Sequence, residues 1–304
     1  HLFYAGKVRN ADFKNFELRL EVLTRPGANS GVYFHTRFQE KGWPAAGFEV
    51  QVNNTYRGEG AYRERKKTGS LYGVRNVYKQ MARDEEWFQL RVAVTGGRVE
   101  IRVNETLLLD YVEPVPPVRV DPGFERVLGH GTFALQCHDP GSKVFFRNVL
   151  VRPLPDNLPM PAERPAADEV YRELLRLGNE NYPLVDYHVH MRPGMMLEDL
   201  LKESRRHGIQ YGIAVNGGLG QRVTDDAGAE SFLASLRGQP VFVAFQAEGR
   251  EWVKMFSKPT LEKFDYLFTD SMTFTDDQSK RMRLWIPSEV GEIKDPERFM
   301  DMFV

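Results

Sequence analysis

The first half of the chain alternates apolar and polar residues in the way that half-buried β-strands do. Residues 16–22 (FELRLEV) carry an apolar side chain at every second position, with charged side chains between them. The same period predicts strands at 31–37, 48–53, 87–94, 99–103, 132–137 and 144–151, with a glycine hairpin turn at 95–97. Many short strands joined by turns indicate an all-β sandwich or jelly roll.

The second half changes to alternating strands and helices. Apolar segments at 184–188, 209–215, 241–245 and 266–269 predict strands, and residues 168–177, 197–207 and 225–236 predict helices. This order is typical of a parallel sheet or barrel. Residues 152–166 contain five prolines, which favour a stiff spacer. We therefore predict a jelly-roll domain at 1–152, a Pro-rich linker at 153–166 and an α/β barrel-like domain at 167–304 that is incomplete at its C-terminus.

The composition narrows the class of protein further. Hydrophobic residues make up 41% of the 304 residues and charged residues 27%, which is ordinary for a globular chain. The net charge of -1 gives no reason to expect a nucleic-acid partner, and no apolar run has the length of a membrane span. The chain begins without a methionine and ends inside a helical pattern, so we expect it to be a fragment.

A row of polar side chains on the strand 48–53 is the first candidate for function. Glu49, Gln51 and Asn53 lie at i, i+2 and i+4 and therefore share one face, and His35 and Arg37 repeat the pattern one strand earlier. Carboxylate and amide groups bordered by aromatic rings suit a sugar. The alternation is equally typical of the solvated outer face of a sandwich. The charged run 63–67 (RERKK) is expected to be a solvated loop.

Several segments of this half resemble the 3-keto-disaccharide hydrolase family. They are residues 29–34 (NSGVYF), 47–51 (GFEVQ), 68–72 (TGSLY), 86–87 (EW) and 145–149 (FFRNV). Two positions depart from the family pattern, since His35 replaces its usual arginine and Asn104–Glu105 replaces an Asn-Gly turn. The resemblance implies a concanavalin A-like jelly roll in a bacterial protein that is periplasmic or secreted.

The resemblance also implies a reaction and roles for particular residues. Its substrate would be a carbohydrate glycoside already oxidised at C3, from which a base removes the C2 hydrogen before the anomeric substituent leaves and water adds. His35 or Glu49 would be the base or acid, and Arg37, Lys79 or a bound metal would stabilise the oxyanion. The expected substrate-binding residues are Gln51, Asn53, Tyr72, Lys79 and Trp87. Alternatively, the jelly roll is only a carbohydrate-binding module, and the barrel is the hydrolase.

A second candidate site lies at the end of the strand 184–188. In the motif 186–190 (DYHVH), His188 and His190 are two residues apart, so both imidazoles can point to one side of a strand. Neutral imidazole is a good ligand for Zn, Mn or Fe. Two surface histidines in a loop would give the same pattern.

Segments 186–190, 208–215 and 243–249 resemble the polymerase-and-histidinol-phosphatase family and, more broadly, metal-dependent amidohydrolases. The resemblance implies a barrel that binds a divalent metal through His188, His190 and a bridging glutamate at Glu248. A later family strand ends near a histidine, where this chain has Asp270. The metal would activate water for hydrolysis of a phosphoester or amide-like bond, and we expect low metal occupancy in this chain.

Overall fold

The computed structural model describes residues 1–119, 121–269, 272–276, 278 and 280–303, and Asp270 lies outside them. The chain forms two compact units, one comprising His1–Val185 with Glu198–Gln210 and the other Asp186–Leu197 with Tyr211–Val304. The predicted domain boundaries remain a prediction, although this division falls at Val185 and not in the Pro-rich segment. That segment belongs to the first unit and is hydrogen-bonded to the rest of it. The Leu154 amide donates to the Asn15 carbonyl, and the Arg164 guanidinium donates to the Glu113 carbonyl.

The first unit contains two antiparallel sheets. Its strands are β1 (Leu2–Phe3), β2 (Phe16–Thr24), β3 (Asn29–Thr36), β4 (Phe48–Asn53), β5 (Phe88–Thr95), β6 (Arg98–Val103), β7 (Thr106–Val112), β8 (Thr132–Leu135) and β9 (Val144–Pro153). One sheet has the order β1-β8-β3-β4 and the other β7-β6-β5-β2-β9. The predicted β-sandwich is therefore confirmed in outline, and β7 is a strand that the pattern did not predict.

The inner faces of the two sheets share one hydrophobic core. Phe16, Leu20 and Val22 of β2 are fully buried, and they belong to the same apolar cluster as Phe34 and Val50 of the facing sheet. Burying each such side chain contributes about 1.5–3 kcal/mol of transfer free energy. The alternating residues of β2 face outward, as the period of two requires.

The outer face of β3 and β4 is not solvated. Every residue of both strands is buried, including Glu49 and Gln51. The edge of β4 is covered as well, because residues 70–72 pair with it: the Gln51 amide donates to the Ser70 carbonyl and the Tyr72 amide to the Glu49 carbonyl, both at 2.9 Å. The interpretation of the polar row as a solvated face is thereby excluded.

Two helices of the first unit follow the sandwich, α1 (Glu169–Asn179) and α2 (Leu197–His207), as the pattern predicted. Helix α1 begins at the Asp168 cap, whose side chain accepts from the Tyr171 amide at 2.8 Å. Tyr171 and Leu175 then bury one helix face in the core of the sandwich.

The second unit is an open α/β structure. Strands β10 (Val185–Val189), β11 (Gln210–Gly218), β12 (Phe242–Glu248) and β13 (Tyr266–Phe268) form one sheet in sequence order, and β11, β12 and β13 are parallel. The remaining elements are α3 (Asp226–Ser235), α4 (Trp252–Met255), α5 (Lys258–Leu261), β14 (Thr273–Thr275), β15 (Arg281–Arg283), α6 (Pro287–Val290) and α7 (Pro296–Phe303).

The predicted barrel is not shown. In the described part of the chain the parallel sheet ends at β10 and β13, and these two strands do not pair with each other to close a barrel. Sequence periodicity predicts single strands well, but closure depends on pairing between the first and last strands, which no local pattern encodes. None of the helices that the structure describes is both long and apolar enough to cross a membrane.

Candidate active site in the β-sandwich

A cavity of about 330 Å³ opens on the polar face of β3 and β4, and we call it the Glu49 pocket. Its polar lining residues are Asn29, Tyr33, Glu49, Gln51, Tyr62, Glu64, Tyr72, Asp121, Arg126, Gln136, His138 and Asn179. Volumes of this order are typical of sites for small molecules. The buried polar side chains Glu49 and Gln51 of β4 therefore border an internal cavity.

The carboxyl group of Glu49 is held between two polar side chains. Tyr33 donates its hydroxyl to Oε2 at 2.7 Å, and Gln136 donates its amide nitrogen to Oε1 at 2.8 Å. Burial raises the pKa of Glu49 above its usual range, although both hydrogen bonds and the nearby charge of Arg126 act in the opposite direction. A buried carboxyl group with a raised pKa in a cavity is suited to accept and return a proton.

Gly31 makes room for this carboxyl group. It lies on β3 opposite Gln51, and a Cβ atom at Gly31 would stand 2.5 Å from Glu49 Oε1 and 2.9 Å from Glu49 Cγ. Any larger residue would therefore displace Glu49. The glycine of the NSG segment has a steric role in positioning the acid.

A second carboxylate, Glu64, lies in the same pocket. Its Oε2 accepts from the hydroxyls of Tyr62 at 2.8 Å and Tyr72 at 3.0 Å. Its Oε1 accepts from the backbone amide of Lys66 at 2.9 Å and lies 3.9 Å from Lys66 Nζ, and the side chains of this ion pair are only 1% and 2% exposed. Lys66 Nζ also donates to Asn181 Oδ1 at 3.0 Å, so both charges have partners.

Three buried amide oxygens belong to residues of the pocket lining and have no hydrogen-bond partner among the described residues. They are Asn29 Oδ1, Gln51 Oε1 and Gln136 Oε1. The side-chain amide of Gln136 is oriented with its nitrogen toward the Glu49 carboxyl group, to which it donates. Buried acceptors without partners are costly, so they mark this part of the lining as unusual.

Aromatic rings form one side of the pocket mouth. Trp43 is 42% exposed, and its ring centroid lies 5.3 Å from that of His138, which in turn lies 5.6 Å from Tyr56. His138 Nδ1 is 2.8 Å from the carboxylate of Asp139, which orients the ring. Rings of this kind suit the C–H faces of a sugar.

The structure brings together only some of the residues expected from the sequence. Glu49, Gln51 and Tyr72 line the pocket. Asn53 is fully buried and donates its amide to the Lys66 carbonyl at 2.9 Å, outside the pocket lining. Lys79 and Trp87 are also outside it, and Trp87 instead packs 3.9 Å from the guanidinium carbon of Arg147.

His35 and Arg37 line a separate cavity of about 870 Å³. His35 Nε2 is 2.8 Å from the Lys14 carbonyl, and its Nδ1 accepts from the Gly129 amide. Arg37 is exposed and pairs with Glu125 at 3.0 Å. The cause is an irregularity in β3, where the register with β8 shifts after Tyr33 and His35 adopts a left-handed φ of 54°. The bulge separates the side chain of His35 from Tyr33, with which strict alternation would have grouped it.

Several residues of this site were not predicted from the sequence. Tyr33 lies in the NSGVYF segment that carried the resemblance, whereas Gln136 and His138 gave no signal. The run 63–67 was expected to be a solvated loop, but Glu64 and Lys66 are buried and Arg63 and Arg65 are exposed. Its alternation of exposed and buried residues is that of an extended segment, but the sequence carries no signal of it, because every residue of the run is charged.

In the second unit, His188 and His190 do point to the same place. Their Nε2 atoms are 3.0 Å apart, and each lies 2.8 Å from Gln246 Oε1. Glu248 is linked to the two histidines through Gln246, since its Oε1 accepts from Gln246 Nε2 at 2.8 Å and from Asn216 at 2.9 Å. The described residues include no group of three or more His, Cys, Asp and Glu side chains arranged to hold a metal ion.

The donor atoms at this point fit a cation nevertheless. His190 Nδ1 lies 3.0 Å from the Ala214 carbonyl, so it carries the proton and Nε2 presents a lone pair. Gln246 donates its nitrogen to Glu248, so its oxygen faces the histidines. The 3.0 Å between the Nε2 atoms is less than twice a Zn–N bond of about 2.0–2.1 Å, so one ion can contact both. Gln246 thus occupies the place expected for Glu248.

No curated protein matches the chain. Among solved structures, a protein from Parabacteroides distasonis described as a glycosyl hydrolase is 24% identical over 47% of this chain and 74% of its own, with a TM-score of 0.40. A second such protein from that organism is 20% identical over 47% and 80% of the two chains, with a TM-score of 0.39. A carbohydrate-binding module from Bacillus subtilis is 15% identical over 46% and 76%, with a TM-score of 0.31.

The family comparison covers the sandwich alone. It gives no support for a fused metal-dependent barrel family in the rest of the chain. Residues 6–152 match the family model described as a 3-keto-alpha-glucoside-1,2-lyase-like domain, which confirms the resemblance to the 3-keto-disaccharide hydrolase family in this half.

Proposed function

We propose that the Glu49 pocket binds and cleaves a glycoside that carries a ketone at C3 of the sugar. The observation that supports this most is the buried carboxyl group of Glu49, held by Tyr33 and Gln136 on the lining of a cavity. A site that only binds sugar has no need of a buried carboxyl group with a raised pKa.

In the proposed reaction Glu49 is the base. The ketone acidifies the C2 hydrogen, the Glu49 carboxylate takes that proton, and the electron pair forms an enolate whose negative oxygen is at C3. Arg126, which lines the pocket with Glu49, is the group placed to stabilise this oxygen. The enolate then expels the anomeric oxygen, breaking the C1–O bond and leaving a double bond between C1 and C2.

The later steps need an acid and water. The departing oxygen takes a proton, and His138, oriented by Asp139 at the pocket mouth, is our choice for its donor. Water adds across C1 and C2 and restores the 3-keto sugar, so the net reaction is hydrolysis. The side-chain amides of Asn29, Gln51 and Gln136, which belong to the pocket lining, would form hydrogen bonds with sugar hydroxyls.

The test is turnover of a 3-keto-glucoside by the wild-type chain and by Glu49→Gln. Gln keeps the shape but cannot take the proton, so kcat should fall by about 10²–10⁴-fold. Glu105→Gln, in the exposed turn between β6 and β7, is the control and should keep full activity. Equal kcat in the wild type and Glu49→Gln would refute the assignment.

The alternative is a carbohydrate-binding module, and the exposed ring of Trp43 beside His138 favours it. Binding of the 3-keto-glucoside by the wild-type chain without any turnover would support that function. Loss of this binding in Trp43→Ala, with Trp87→Ala as a control outside the pocket, would assign it to the same cavity.

We also propose that His188, His190 and Gln246 hold a divalent cation, either Zn, Mn or Fe. The support is the convergence of their lone pairs at 2.8–3.0 Å. When bound, such a cation would supply Lewis-acid activation of water for a hydrolytic reaction. Glu248 orients Gln246, and its Oε2 has no partner among the described residues.

A further inference from the structure

Carboxylate acceptors outnumber cationic groups on the described lining of the Glu49 pocket. It carries the three carboxyl groups of Glu49, Glu64 and Asp121 and the guanidinium of Arg126. A ligand rich in hydroxyl donors satisfies such a lining, whereas an anionic ligand brings further acceptors and a like charge.

The hydroxyls of Tyr62 and Tyr72 add to this excess. Both donate their proton to Glu64 Oε2, at 2.8 and 3.0 Å, so what remains for a ligand is their lone pairs. Burial and the Glu64 charge raise the pKa of Tyr72, and burial raises that of Tyr62 to about 12. The two phenols are therefore neutral acceptors around a fixed carboxylate.

The cationic groups near the pocket are already engaged. Lys66 is buried behind Glu64 and bound to Asn181. Arg126 donates Nη1 to the Gly47 carbonyl at 2.8 Å and lies 4.5 Å from the centroid of the Phe124 ring. In the proposed reaction its remaining N–H groups serve the oxygen at C3, so Arg126 is not left to pair with a carboxylate elsewhere on the sugar.

We propose that Glu64 makes the pocket selective for uncharged glycosides and excludes uronic acids and phosphorylated sugars. This inference rests on the proposed function, because it concerns the sugar bound in the same pocket. Glu64 acts here as a specificity-determining residue, and the reacting atoms do not require it. The observation behind it is a buried carboxylate whose only described cationic neighbour within ion-pair distance, Lys66, lies outside the pocket lining.

The experiment compares three unreactive ligands by calorimetric titration of the wild-type chain. They are phenyl glucoside, phenyl glucuronide and the methyl ester of phenyl glucuronide, which differ at C6 in charge and in size. We expect the glucoside and the ester to bind with similar Kd values and the glucuronide about tenfold or more weakly, because a like charge is penalised in a site shielded from water. Equal binding of the glucuronide and the glucoside would overturn the proposal. Equal weakening of the ester and the glucuronide would overturn it too, since size and not charge would then decide.

Variants assign the selectivity to Glu64. Glu64→Gln should reduce the preference for the glucoside over the glucuronide, and Glu105→Gln should leave it unchanged. Because Glu64→Gln leaves Lys66 buried without its partner, the double variant Glu64→Gln with Lys66→Met provides a second route that removes both charges. An undiminished preference in the folded double variant would overturn the role of Glu64. If no glycoside binds and no 3-keto-glucoside is turned over, the proposed function fails and this inference fails with it.

Discussion

Replacing Gly31 with alanine tests the link between the fold and the proposed base. The new Cβ atom would stand 2.5 Å from Glu49 Oε1, 2.9 Å from Cγ and 3.0 Å from Cδ. Carbon and oxygen atoms prefer separations of about 3.5 Å, so the closest contact is about 1 Å too short. Glu49 cannot swing freely, because Tyr33 and Gln136 hold both of its oxygens.

The expected cost follows from these contacts. Overpacking a buried site costs about 1–3 kcal/mol, and weakening a hydrogen bond to the displaced carboxyl group costs about 1 kcal/mol more. We therefore expect Gly31→Ala to lower the free energy of unfolding by about 2–4 kcal/mol. Displacing the base by about 1 Å should also lower kcat by about 10²-fold.

Chemical denaturation and turnover of a 3-keto-glucoside measure the two effects. Gly129→Ala is the matched control, because its Cβ would meet nothing within 4 Å. In a Glu49→Ala background the clash is absent, so Gly31→Ala should then cost little stability. An equal loss of stability in both backgrounds would refute the reasoning, because the cost would then not come from Glu49.

Three further predictions concern Glu49, His35 and His188. Glu49→Gln should stabilise the fold at neutral pH but not at low pH. The pKa of Glu49 is raised in the folded state, so the stability of the wild type falls as the pH rises through that pKa. An effect of Glu49→Gln on denaturation that does not change with pH would contradict this. His35→Ala should retain kcat. Burial lowers the pKa of His35 to about 4, so between about pH 6.5 and about pH 4 only the unfolded chain binds the proton, and we expect the wild type to lose stability as the pH falls through this interval. His35→Ala should remove this loss of stability. A drop in kcat with unchanged stability would instead place His35 in the chemistry. His188→Ala should abolish binding of a divalent metal, measured by elemental analysis after dialysis against Zn, with His207→Ala as the control; retained metal would show that it binds elsewhere.

Local pattern was sufficient for most of the secondary structure. The predicted strand 16–22 corresponds to β2 (Phe16–Thr24), and the predicted helix 197–207 corresponds to α2 (Leu197–His207). Periods of two and of 3.6 residues come from the geometry of the strand and the helix, so they can be recognised in a short window. Closure of a barrel has no such local period, and the predicted incomplete barrel is not shown, since the described residues contain an open four-stranded sheet.

The pocket shows the limit of the same reasoning. Alternation put Glu49 and Gln51 on one face of β4, which was correct, but it also grouped His35 with them. The left-handed φ of His35 breaks the period at that residue. The pattern in a single strand cannot reveal this, because the register shift arises from pairing with β8, about a hundred residues further along the chain.

By itself, the sequence determined the two halves, the order of their strands and helices, the resemblance of the first half to a sugar-processing family and the pairing of His188 with His190. Only the tertiary structure decided which polar groups share a cavity. Glu49 receives its partner Gln136 from 87 residues away, and Glu64 enters the pocket from a charged run that the sequence made indistinguishable from a solvated loop. The physical reason is that backbone geometry repeats within a few residues, whereas burial and the pKa of a carboxyl group depend on whatever distant segment packs against it.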